Sequence, residues 1–82
     1  MTKVDPWALA REAQTLQQAH GALSKLQPAP SSEPSVLRDY YLRSASVYAQ
    51  VAEIDRAHHH EALYWANRER EKAEQIGRTA KA

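Results

Sequence analysis

Between Ser35 and Gly77 the chain contains neither glycine nor proline, so one helix-compatible run takes up about half of its 82 residues. The only other run of any length, from Pro6 to Leu26, is about half as long. At about 1.5 Å per residue the two would measure on the order of 60 Å and 30 Å. A short helix folded back on a long one leaves apolar surface uncovered. The mismatch predicts self-association or a protein partner.

Size sharpens the same point. A chain of this length builds one domain with a marginal core, and the absence of cysteine removes disulfide staples and thiolate chemistry. There is no phenylalanine, so large apolar mass comes from Trp7, Trp65, four tyrosines and a modest set of Leu, Ile and Val. Small unstapled proteins commonly gain stability by oligomerising. The formal net charge of +1 is close to neutral, and opposite charges alternate through Arg68-Glu69-Arg70-Glu71-Lys72. That pattern lacks the basic block of a strong nucleic-acid or membrane-surface footprint. No stretch approaches the ~20 apolar residues that span a bilayer, and the first residues carry no apolar signal core. A cytoplasmic protein is expected.

Asp5-Pro6 is a favourable helix start, with Asp as N-cap and Pro at the first helical position. Leu9, Leu16 and Leu23 then recur every seven residues, a narrow seam flanked by small alanines. Three prolines within Pro28-Ala29-Pro30-Ser31-Ser32-Glu33-Pro34 stop the helix and reverse the chain. Ser31, Ser32 and Ser35 are each able to cap the helix that follows. The reading is an all-α helical hairpin: a helix over about 6–26, a turn over 27–34, a helix over about 35–76 and a frayed tail over 77–82.

On the second helix Val36, Tyr40, Val47, Val51, Ile54, His58, Trp65 and Ile76 share one sector at 100° per residue. Asp55 is a possible cap that would split this run into two helices, but the stripe continues through Ile54, His58, Ala62 and Trp65 and favours one. Two such hairpins are expected to pair into a four-helix bundle. The expected interface comprises Leu9, Leu16, Leu23, Tyr40, Val47, Val51, Ile54, His58 and Trp65, with Trp65 as its anchor because Trp and Tyr dominate interface energetics.

The histidine run His58-His59-His60-Glu61 is the most conspicuous polar cluster. Successive helical residues point about 100° apart, so three adjacent histidines cannot share one ion. Asp55 with His59 and His58 with Glu61 have usable helical spacing, but each pair supplies only two ligands. Asp55, His58, His59 and Glu61 are thus minor candidates, and neither a metal nor another cofactor is expected. There is no Gly-rich phosphate loop and no activated nucleophile. The expectation is a non-enzymatic protein–protein interaction or adaptor module, with regulation among the roles open to it. The alternatives are a weak nucleic-acid contact through Arg68, Arg70, Lys72, Arg78 and Lys81, and a metal-binding bundle through the His58–Glu61 cluster.

Overall fold

The computed structural model describes residues 5–80, and these are helices joined by short connections, with no strand among them. Helix α1 covers Ala8–Arg11, α2 Leu16–Leu26, α3 Pro34–Ile54 and α4 His59–Ala80, with one 3-10 turn at Arg56–His58 between the last two. Among the described residues no helix is long and apolar enough to cross a membrane.

The first expected helix is divided. Asp5 Oδ1 accepts from the Trp7 backbone N–H at 2.9 Å, so Asp5 does organise the start, but Pro6 and Trp7 form a turn and the helix begins at Ala8. It ends after one turn because a stronger start lies just beyond it. Thr15 is extended, and its hydroxyl accepts from Gln18 N at 3.1 Å. The Gln18 side chain reaches back to Gln14 N at 2.9 Å. The first is an N-cap bond and the second ties the residue before the cap to the first turn, and together they fix the entry of α2.

The proline-rich connector turns the chain as its composition predicts. None of the three serines caps α3, however. Glu33 is the N-cap residue, its side chain makes no capping bond, and Pro34 occupies the first helical turn. Pro there loses no useful donor and brings a preset φ.

The long second helix is the main correction. It breaks at Asp55, whose backbone (φ −90°, ψ 78°) leaves the helical region while its N–H still bonds Val51 O at 2.7 Å. The chain then folds back, and α3 and α4 run antiparallel along their length. Tyr48 stacks on Trp65, Lys72 lies over Tyr41, and Gly77 rests against Arg38. The reason is burial: an unbroken helix would leave Ala45, Tyr48, Ala52, Ala62, Ala66 and Ala73 in water, whereas here all are buried. Alanine favours helix and allows two helices to approach closely. The tail also departs from expectation, since 77–80 continue α4; 81–82 lie outside the described residues.

Helices α1 and α2 complete the core against α3. Trp7 packs on Tyr40 with ring centroids 5.9 Å apart, and Gln50 Nε2 donates to Arg11 O at 3.2 Å. Leu16, Ala19 and Leu23 of α2 join Val47, Tyr48 and Val51 in one buried cluster. Complete burial of a Val51-sized side chain contributes about 1.5–3 kcal/mol. The apolar seams read from the sequence therefore close on each other within one chain.

Candidate functional site

Three places concentrate chemistry: the elbow at Asp55, a groove between α2 and the α3/α4 pair, and the open end of that pair.

At the elbow, Asp55 is committed to structure. Its Oδ2 accepts from the Leu16 backbone N–H at 3.0 Å and meets His58 Nδ1 at 2.9 Å, with the side chain only 11% exposed. The Leu16 N–H, followed by the His58 ring, holds this carboxyl below the usual carboxylate range. His59 Nδ1 lies 2.7 Å from Ala52 O, while His60 and Glu61 face solvent. Among the described residues no three His, Asp or Glu side chains are grouped to hold a metal ion. Of the four residues Asp55, His58, His59 and Glu61, only Asp55 and His58 come together, while His59 turns to the Ala52 carbonyl and Glu61 faces solvent.

The expected interface residues are dispersed. Leu16, Leu23, Tyr40, Val47 and Val51 are buried in the chain's own core. Leu9 is 70% exposed and Ile54 46% exposed, and His58 is exposed too. Trp65 is half-buried, and what covers it is the same chain: Tyr48 stacks on it at 6.0 Å and His20 meets it edge-on at 5.0 Å. The reversal at Asp55 brings Trp65 against His20 of α2, so it does not lie beyond the reach of the first helices as its place in the sequence implied.

Around Trp65 lies a groove of about 320 Å³ with a chemically varied lining. His20 of α2 and Tyr48 of α3 share a 2.7 Å hydrogen bond between Nδ1 and Oη. Tyr40 donates to Leu23 O at 2.9 Å, tying α2 to α3, and its ring meets Tyr41 at 5.3 Å. From α4 come Arg68, 5.0 Å over the Trp65 ring, and Lys72, 5.3 Å over Tyr41. Burial pushes the Tyr40 and Tyr48 phenols up, and the Glu69 carboxylate adds to both shifts. Glu69 itself lines the groove, is 8% exposed, and its buried Oε2 has no hydrogen-bond partner.

Sequence reasoning missed Glu69, His20 and Tyr48. For Glu69 a signal exists: Ala62, Ala66, Glu69 and Ala73 are spaced four, three and four apart. That is the rhythm of a buried helical seam, and it places one carboxylate among alanines. The alternation of charges around it hid the position.

At the open end of the α3/α4 pair, Pro34, Leu37, Tyr41 and Ile76 line a groove of about 510 Å³. On the adjoining surface Arg38, Asp39, Glu74 and Arg78 surround Leu42 and Ile76. Of the basic residues considered for nucleic acid, Arg68 and Lys72 lie over aromatic rings, Arg70 bonds Asn67, and Arg78 is exposed. Lys81 lies outside the described residues.

Comparison with known protein families, with characterised proteins and with solved structures finds no match to this chain.

Proposed function

We propose that this chain is a non-enzymatic protein–protein interaction module that works through the open end of its α3/α4 pair, and that its first partner is a second copy of itself. The observation that carries this reading is the pairing of an apolar groove with a self-complementary rim. Pro34, Leu37 and Ile76 supply apolar lining, and Val36 and Leu42 beside them are exposed. Two cations, Arg38 and Arg78, and two anions, Asp39 and Glu74, stand around Leu42 and Ile76. A two-fold interface places the same patch on both subunits, so each cation can meet an anion of the other copy. Apolar area at the centre supplies the driving force and the charges fix orientation.

The functional reading thus moves from the Leu9–Trp65 seam to a different face of the same hairpin. Sedimentation equilibrium at micromolar concentration tests it. The expected result is a dimer that dissociates in Ile76→Asp with helix content unchanged. A well-folded wild-type monomer, or a dimer indifferent to Ile76→Asp, rejects the self-association.

A further inference from the structure

We propose that the groove between α2, α3 and α4 is a binding site for a carboxylate, taken by Arg68 and Lys72 together. The two cations stand four residues apart on α4, which puts them on one helix face, and both line the groove. Five ion pairs occur among the described residues, and none includes either of them. Each lies instead over a ring of the groove wall, Arg68 over Trp65 and Lys72 over Tyr41. A ring face holds a cation in place but carries no net charge. Both positive charges are thereby positioned and without a counter-ion.

The lining also selects the kind of anion. Its one carboxylate, Glu69, is 8% exposed, and its Oε2 is closed to solvent. Glu71 and Glu74 are exposed and line no part of the groove. Two cations against one carboxylate leave a single positive charge, which one bound carboxylate neutralises. A phosphate monoester, with about two negative charges, overshoots it. The Arg68 fork matches the two oxygens of a carboxylate, and Lys72 adds a point donor. A nucleic-acid backbone needs a longer row of cations, and Arg70 and Arg78 lie outside the groove. A space of about 320 Å³ is at the small end of ligand sites and suits a carboxylate on a short stem. The group belongs either to a free acid or to an acidic side chain of a docked chain. Tyr41 and Lys72 line both this groove and the open-end groove, so a docked segment is able to reach both.

The test is a nuclear magnetic resonance titration of the full chain with sodium butyrate, with n-butylammonium chloride, butanol and n-butyl phosphate at matched ionic strength as controls. Expected are saturable shifts of the Trp65 indole and Lys72 amide signals with butyrate, none with the amine or the alcohol, and weaker binding of the phosphate. Arg68→Gln should weaken butyrate binding about tenfold and Lys72→Met severalfold, whereas Arg70→Gln, outside the groove, should leave it unchanged. Glu69→Gln, which removes the opposing charge, should strengthen it severalfold. No saturation with butyrate in the tens of millimolar, an equal response to the amine, or tighter binding of the phosphate overturns the proposal. So does undiminished binding by a folded Arg68→Gln, or a loss in Arg70→Gln as large as in Arg68→Gln. Should Arg68→Gln lose its helical signal, Lys72→Met decides, because unchanged or tighter butyrate binding there also overturns it. The peptide acetyl-Leu-Ala-Ala-Glu-amide separates the sources. Affinity about tenfold above butyrate assigns the site to a docked chain, and equal or lower affinity assigns it to a free acid.

Discussion

Asp55 Oδ2 lies 3.0 Å from the backbone nitrogen of Leu16, thirty-nine positions earlier in the chain. One carboxylate thereby serves two helices: it accepts a free N–H of the first turn of α2 and holds the His58 ring in the turn that leads into α4. The bond joins the two reversals of the fold at a single point.

Acid should release that point. The Asp55 carboxyl sits below its ordinary range in the folded chain, first through the Leu16 N–H and then through His58. A group with a lowered folded value contributes stability that is complete above its unfolded value of about 4 and is lost as pH falls through the folded one. Urea unfolding should therefore show stability falling as pH drops below about 5, and Asp55→Asn should flatten this acid limb. At neutral pH Asp55→Ala should lower the melting temperature by several degrees, as loss of a helix cap does. An acid limb identical in Asp55→Asn and wild type assigns the loss to other carboxylates.

Alkali should act within α3 itself. Burial, with Glu69 nearby, raises the Tyr48 phenol, and burial raises Tyr40 as well. A raised folded value favours the neutral phenol. The stabilisation is complete below the unfolded value of about 10 and is lost as pH rises towards the folded one. Tyr48→Phe should lessen that alkaline loss, seen as a shallower fall in melting temperature above about pH 10. It should also cost stability at neutral pH, because His20 Nδ1 loses its 2.7 Å partner. A steeper alkaline fall in Tyr48→Phe contradicts the assignment.

Trp65 now tests the fold itself. Trp65→Ala removes the ring that Tyr48, His20 and Arg68 contact from three sides. The expected loss is about 2–4 kcal/mol, below the full range for a wholly buried tryptophan. It should be independent of protein concentration, because the contacts lie within one chain. A loss that grows on dilution would instead return Trp65 to an intermolecular interface.

Much of this architecture is readable from residue order. The proline connector, the Leu16–Leu23 seam and the Val47–Val51 stripe all occupy the places their spacing implies. The break at Asp55 is harder to read because no glycine or proline marks it; burial of α3 against α4 and the hydrogen bond to Leu16 favour it, and both exist only in the folded chain. Once that reversal is missed, Trp65 looks uncovered and Glu69 looks like part of a solvated charge run. Both errors follow from the same distant contact, since local patterns carry periodicity but not the far end of a long-range bond.

Close packing of α3 on α4 gives a further test. Ala66 is 2% exposed in the core formed with Ala52 and Ala62. Ala66→Leu adds volume where the helices leave no room, and overpacking of this kind costs about 1–3 kcal/mol. Helix content should persist while the melting temperature falls and the Trp65 environment changes. A neutral or stabilising effect would show that the pair is able to separate without loss.

The last prediction concerns the cost of one buried polar residue. Glu69 is 8% exposed and its buried Oε2 has no hydrogen-bond partner, which costs stability. Glu69→Met has similar bulk and no charge, so it relieves that cost without opening a large cavity. The variant should be more stable than wild type by about 1 kcal/mol, which raises the melting temperature of a domain this size by roughly 4–8 °C. Residues that cost stability where they stand are characteristic of sites kept for function. If Glu69→Met is instead destabilised, the carboxylate holds the helices together.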